Sequence, residues 1–418
     1  MTMDKTGFTK LLANTTNFTL RRVVERLREG LFDPFGVQVL TAREQQLDKV
    51  FDQGVHALLK NKSAHLCVCG AYGQGKSHTL SYLKERALKQ GFVTSLINLD
   101  PREIPLHNFR RTYRALVSRI VFPDGSPSLV KMWRDWTNGG YKTLLGNDLK
   151  KAPADPLSVI PQDMPHLFKA TLTALANKNR PLSKRQRAFK KHAAFRPREF
   201  PWILANTLNG NAPPIYRLCH ALKYRQVDFY KDNSLVCKGW EPYFELVRTL
   251  AVMFQKMGYK GWVVLFDEAE STVQTPINVR RKNYRVLDRF FSFKNPMGGL
   301  YPIFALTDDF FNVVQNEDYD RVVMRRQKET RYFPKNYGHV WRRLNIHDLK
   351  GLAPQEWQTL AQKLIRFHAK AYGWQPPDNR LSEQLASVLT ETAADEPRLK
   401  IKALVNQLDF AHQEMVLD

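Results

Sequence analysis

Eight residues, Gly70-Ala-Tyr-Gly-Gln-Gly-Lys-Ser77, constrain this chain more than any others. They lie between a short apolar run, His65-Leu-Cys-Val-Cys69, and a stretch in which Leu80, Leu83, Ala87 and Leu88 recur at helical spacing. Glycines at such a junction let backbone N–H groups turn inward around an anion with no Cβ in the way. The lysine and the hydroxyl residue that close the pattern G-x-x-x-x-G-K-[ST] supply a cation for phosphate oxygens and a ligand for Mg2+. The following helix turns its positive end to the same point. Gly70, Ala71, Tyr72, Gly73, Gln74, Gly75, Lys76, Ser77 and His78 are therefore expected to cradle the phosphates of ATP, with Lys76 on the β- and γ-phosphates and Ser77 on Mg2+.

The flanking patterns agree with that reading. Thr41-Ala-Arg-Glu44 spells a capping box ahead of Leu47, Val50, Phe51, Val55, Leu58 and Leu59, predicting a helix before the glycine loop. Gly91 suits a left-handed cap for the helix after the loop, and "FVTSLINLD" reads as the next strand. Strand, loop, helix, strand is how a parallel sheet is built, so the fold class is α/β. From about Phe122 to Gly239 the sequence is Pro-rich and irregular, and "HLFKATLTALANK" and "YRLCHALKY" within it keep helical spacing. Regular patterning returns with a helix near Pro242–Met257, then "KGWVVLFDEAE", "GLYPIFALTDDFF" and "LNIHDL" as strands. Beyond Pro354 come helices near 354–372, 382–391 and 397–412. The expected organisation is N-terminal helices with the first half of an α/β core over 1–125, a basic, mainly helical insertion over 126–240, the second half of the core over 241–350, and a helical lid over 351–418.

A second chemical element lies at the end of Trp262–Phe266, where an apolar run stops at Asp267-Glu268. Acids at the tip of a buried strand suit Mg2+ coordination through Asp267 and polarisation of an attacking water by Glu268. A solvent-facing acidic loop after a core strand is the plainer alternative.

Charge narrows the partner. The 64 Lys and Arg against 40 Asp and Glu leave a formal +24, an excess that favours DNA or another polyanion. Lys178–Arg198 carries nine Lys or Arg and no acid, with Phe189 and Phe195 interleaved. Lys184, Arg185, Arg187, Lys190 and Lys191 are candidate phosphate contacts, and a solvated basic loop is the alternative. Arg280 and Arg281, with Lys282, Arg285 and Arg289, form a smaller cluster, and Arg321, Arg325 and Arg326 another. No apolar stretch reaches the ~20 residues that span a bilayer, and the four cysteines form no framework, so free thiols, a cytoplasmic location and no membrane partner are expected. Cys67 and Cys69 lack a second pair at zinc spacing. Trp133 and Trp136 suit packing, and His192 and His220 stand alone.

Taken together the chain resembles initiator-type AAA+ ATPases and, more narrowly, the BREX system ATP-binding family (BrxD-like) of bacterial phage-defence loci. The resemblance rests on "REGLFDPFGVQVLTARE", "CGAYGQGKSHTL", "LINLDPREIPLHNFRRTYRALV", "VVLFDEAE", "IFALTDDFF" and "EPRLKIKALVNQLDF". It implies an AAA+-like core with a helical lid, ATP hydrolysis with Mg2+, and work on DNA beside other proteins of the locus, an Lhr-like helicase among them. It implies that Thr307, or Asp308, at a strand tip senses the γ-phosphate, although both also suit a helix N-cap. Arg342 and Arg343 stand where such proteins carry a finger for a neighbouring subunit, and Arg398 where the lid carries a second sensor; a homo-oligomer formed with ATP or DNA follows. Two readings stay open beside it: a nucleotide-dependent scaffold or switch, and a transposition-regulator-like adaptor, each with little hydrolysis. Initiator ATPases usually follow the lid with a winged-helix DNA reader, whereas this sequence ends at Asp418 soon after the last helix, so DNA contact is expected from the core, the insertion or a partner.

Neutralising Lys184, Arg185, Arg187, Lys190 and Lys191 together should weaken DNA binding and flatten its dependence on salt. An unchanged slope of log affinity against log salt would exclude this run as the contact.

Overall fold

A computed structural model describes residues 5–140, 153, 155–177, 197–227, 235–292, 297–318, 332–376, 381, 385 and 396–417. All but Leu385 of the helix expected at 382–391, the five cations of 184–191, and Arg321, Arg325 and Arg326 lie outside the described residues. Helices α1 (Lys5–Ala13), α2 (Asn17–Arg28), α3 (Pro34–Leu40) and α4 (Glu44–Leu59) come first. Then follow β1 (Leu66–Cys69), α5 (Lys76–Lys89), β2 (Val93–Asn98), α6 (Phe109–Ser118) and β3 (Ile120–Val121). Helices α7 (Leu129–Asp135), α8 (His166–Ala176), α9 (Phe200–Leu208) and α10 (Ile215–Tyr224) occupy the irregular middle. The chain returns through α11 (Glu241–Lys256), β4 (Trp262–Asp267), α12 (Ile277–Phe291), β5 (Leu300–Leu306), α13 (Asp308–Asn312), α14 (Tyr337–Val340) and β6 (Ile346–Asp348) to α15 (Pro354–Tyr372) and α16 (Pro397–Leu417).

The strands form one sheet in the order β3-β2-β4-β5-β1-β6, parallel except for the short β3 at one edge. Every residue of β1 and β5 is buried, as parallel strands covered on both faces require. Alternation divides the sheet between two cores. Trp262, Val264 and Phe266 face a core shared with α6, α11 and α12, while Val263 and Leu265 face one built on α4 and α5. Buried residues of the middle section, among them Trp133, Trp136, Phe168 and Ile203, belong to the first of these cores. Both tryptophans are packing residues whose indole N–H groups donate to Leu172 O and Pro156 O. The middle section therefore extends the sheet's own core.

The N-terminal helices pack with the other end of the chain. Leu20, Val23, Val24 and Leu27 of α2 share a core with Trp357, Leu360, Leu364 and Phe367 of α15 and with Leu404, Val405 and Leu408 of α16. Residues 5–40, grouped with the sheet on sequence grounds, are thus half of a helical layer whose other half begins at 354. Local chemistry sets its boundaries: Asp33 accepts from Phe35 N ahead of Pro34, and Pro354 opens α15 while Gly373, at φ 75°, closes it.

The capping box expected at Thr41 does not form. Thr41 ends α3, its hydroxyl donates to Val37 O, and α4 begins at Glu44 after Arg43, which makes no side-chain cap. A tertiary contact takes precedence there. Arg43 Nε and Nη2 donate to both carboxylate oxygens of Glu356 at 2.7 and 2.6 Å, and its Nη1 and Nη2 donate to Lys350 O and Gly351 O. Glu356 also accepts from Ala353 N. One fork thereby clamps the start of α4 to the start of α15.

Glu356→Gln should lower stability near neutral pH by about 1–3 kcal/mol, the range for hydrogen bonds to a charged group. Arg43 holds this carboxyl below its ordinary value of 4.5, so the stabilisation is complete above that value and disappears as pH falls through the lower folded-state value. The melting-temperature gap between wild type and Glu356→Gln should close in acid. A gap that did not narrow at all as pH fell below 4.5 would place the stabilisation elsewhere.

Candidate functional site

The glycine loop leaves β1 at Cys69, and Gly70 N donates to Leu306 O, joining the loop's first residue to the tip of β5. Gly73 and Gly75 have φ of 80° and 91°, the left-handed region that residues with a Cβ avoid. A Cβ on Gly73 would also lie 2.9 Å from a carboxylate oxygen of Glu396. Gln74 Oε1 accepts from Ala71 N and braces the loop from within. Helix α5 starts directly at Lys76, so the N–H groups of its first turn, at Lys76, Ser77 and His78, have no partner within the helix. Unpaired N–H groups at a helix start are suited to an anion. Tyr72 is exposed at the lip.

Lys76 is 8% exposed. Its ammonium donates to Gly70 O at 3.0 Å and Ala71 O at 3.1 Å and lies 3.9 Å from Glu270 Oε1. A buried cation is tolerable here because carbonyls and a carboxylate surround it. The same Nζ is mobile enough, on four methylenes, to exchange those carbonyls for phosphate oxygens.

Opposite the loop, β4 ends at Asp267. Glu268 has φ 52° and ψ 36°, a left-handed conformation rare for a residue with a side chain, and its N–H donates to Asp267 Oδ1. The chain then enters a short 3-10 turn, Ala269–Thr272. That corner leaves Glu268 exposed, Asp267 half-buried, and Glu270, two residues on, pointing back toward Lys76. One oxygen of Glu270, Oε2, is buried and makes no hydrogen bond. Burial raises its pKa, and the nearby Asp267 and Glu268 push the same way, against the pull of Lys76. Glu270 went unread in the sequence. Its signal was the repeat of the acid at the second position after Glu268.

Lys76, Ser77, Asp267, Glu268 and Glu270 line one cleft. Its far wall comes from the helical layer, through Leu27, Phe32, Leu360 and Ile401, and Arg398 enters from the first turn of α16 with its stem over Gly30. His78 joins cradle to wall. Its Nε2 is 2.9 Å from Thr41 Oγ1, its ring meets the edge of Phe32, and burial lowers its pKa to about 4, leaving it neutral. Arg43 also lines the cleft, already clamped to Glu356.

Thr307 stands at the tip of β5, between the strands that carry the loop and the acids. It occupies the N-cap position of α13, yet its side chain makes no cap bond. The adjoining Asp308 accepts from Cys69 Sγ. Arg342 and Arg343 are brought to no part of this cleft: they are exposed, at the start of β6, beside the beginning of β1 and therefore at the opposite edge of the sheet. Arg280 is turned inward, 12% exposed, with its Nη1 donating to Asp318 at 2.8 Å, and Arg281 beside it is half-buried. Binding phosphate through Arg280 would cost that internal pair.

No group of three or more His, Cys, Asp or Glu is arranged to hold a metal among the described residues. The donor set instead fits an Mg2+ whose shell is completed by phosphates and water: one hydroxyl at Ser77 and one strand-tip carboxylate at Asp267. A model of the family described as BREX system ATP-binding protein BrxC/D matches residues 17–158 and 240–418. No curated protein and no solved structure matches the chain.

Lys76→Ala should abolish nucleotide binding, measured by titration of a fluorescent ATP analogue, with a loss of about a hundredfold or more in affinity. Unchanged affinity would show that the loop is not a phosphate cradle.

Proposed function

The chain belongs to the family of BREX system ATP-binding proteins BrxC/D, and from that premise we propose that it is an AAA+-type ATPase that acts on DNA together with other proteins of a phage-defence system. The observation that carries the proposal is the convergence of Lys76, Asp267, Glu268 and Arg398, from three distant stretches of sequence, on one cleft. The N–H groups of Lys76, Ser77 and His78 bind the β-phosphate end of ATP, and Lys76 moves from Gly70 O and Ala71 O to the phosphate oxygens. Ser77 and Asp267 would hold Mg2+, which when bound would supply positive charge at those oxygens. Glu268, exposed at the cleft, orients the attacking water. Thr307, between the two motif strands, is positioned to sense the γ-phosphate, and Arg398 to bring α16 onto it. DNA as the polyanionic partner is supported by the charge of +24. No helix among the described residues is long and apolar enough to cross a membrane.

Arg342 and Arg343 lie at the sheet edge away from their own cleft, so a finger role for either requires a second copy of the chain. This supports assembly as the step that completes the hydrolytic site. It equally favours a second reading, a nucleotide switch or adaptor with little turnover, because the cleft's own arginines are Arg398 and the clamped Arg43 among the described residues.

Glu268→Gln should retain ATP and lose turnover by about a hundredfold or more. In the wild type, hydrolysis should rise with DNA, and that stimulation should fade as salt increases. Normal turnover in Glu268→Gln would move the base elsewhere; ATP binding with no hydrolysis, with or without DNA, would select the switch.

A further inference from the structure

The middle section carries a second surface, remote in sequence from the cleft residues and between the two ranges that the family model matches. Helices α9 and α10 bury Phe200, Ile203, Leu204 and Leu208 on one and Leu218, Ala221 and Leu222 on the other. Their outward positions are not merely polar. Trp202 is 63% exposed and Tyr216 58%, although an indole and a phenol ring of that size ordinarily contribute to a core.

The groups around these two rings are cations and amides. Arg217 lies with its guanidinium 6.0 Å from the centre of the Tyr216 ring and its Nε donating to the Tyr216 hydroxyl. Its Nη1 lies 3.9 Å from a carboxylate oxygen of Glu199, the residue just before α9, which brings the neighbour of Tyr216 to the start of the helix that carries Trp202. His220 meets the Tyr216 ring edge-on, one turn further along α10. Asn206, one turn from Trp202, donates to Trp202 O and accepts from Asn211 through its side-chain oxygen. Over residues 197–227 the sequence holds Arg198, Arg217, Lys223 and Arg225 against the single acid Glu199.

Resting on the reading that the chain acts on nucleic acid, we propose that Trp202 and Tyr216 form a stacking platform for unpaired bases, with Arg217 pairing the adjoining phosphates. Exposed aromatic rings gain from the π-face of a base only when that base is unstacked, which selects single strands over duplex. The excess of cations over acids favours a phosphate backbone over a protein surface, since exposed Trp, Tyr and Arg would serve either one. The platform is thus the part of this chain that reads strandedness, apart from the cleft that reads nucleotide.

The test compares the full wild-type chain with W202A/Y216A and W202F/Y216F by fluorescence anisotropy. The probes are a labelled oligothymidylate, an oligouridylate and a mixed-sequence duplex, each about thirty nucleotides or base pairs, ample for stacking on a two-ring site. Both sites are exposed, and an unchanged melting temperature and ATP-analogue affinity establish that the variants are folded. The alanine pair should weaken oligothymidylate binding about tenfold or more, the phenylalanine pair should restore most of it, and duplex binding should change less than about twofold. Equal oligothymidylate binding by wild type and the alanine pair overturns the platform and leaves the DNA reading in place. Binding of oligouridylate alone, lost in the alanine pair, overturns the DNA reading and keeps the platform. Binding of none of the three overturns both and leaves Trp202 and Tyr216 as a protein-docking face.

Discussion

Polar chemistry in this molecule is confined by the burial of its sheet. Strands β1, β4 and β5 are apolar on both faces, so a charged side chain within them would have to be buried without water. Such groups are tolerated only where strands stop. In a parallel sheet the strands stop together, and Gly70, Asp267 and Thr307 therefore emerge side by side at the carboxyl-end edge. The order of strands fixes their roles. Because β5 lies between β1 and β4, its tip adjoins both the glycine loop and the acids.

A sheet edge makes half a cleft. The other half is the helical layer assembled from both ends of the chain, docked through the Arg43–Glu356 fork and the half-buried imidazole of His78. The layer also meets α5 through α3, where Lys89 Nζ donates to Gln38 Oε1, while its interior, from α2 to α15 and α16, is a core separate from those on the sheet. The division suits a unit that shifts as one body against the sheet. Arg398 and the apolar wall would move with it.

Much of this was legible in the sequence, and the reason is locality. The strands ending at Cys69, Asp267 and Leu306, and helices α5, α11, α15 and α16, follow from periodicity and from glycine or proline at their ends. What escaped depends on partners far along the chain. Thr41 and Glu44 spell a capping box, yet Arg43, between them, is claimed by a carboxylate more than three hundred residues away, and the helix starts differently. Glu270 carries no motif letter, and only the left-handed turn at Glu268 aims it at Lys76. Arg280 reads as a surface cation until Asp318 is seen beside it. The pairing of N-terminal with C-terminal helices has no sequence signature at all, since amphipathic faces do not name their partners.

Glu396 sits with its carboxylate against Gly73, immediately before the proline that opens α16. A negative group in that seat stands against the glycine loop itself. A triphosphate held in the loop would bring like charge close to that carboxylate, and like charges repel. On the proposed reading of the loop, the seat of α16 would respond to the charge that the loop holds. Because α16 shares its core with α2 and α15, any shift of its first turn would be felt by the first helices of the chain.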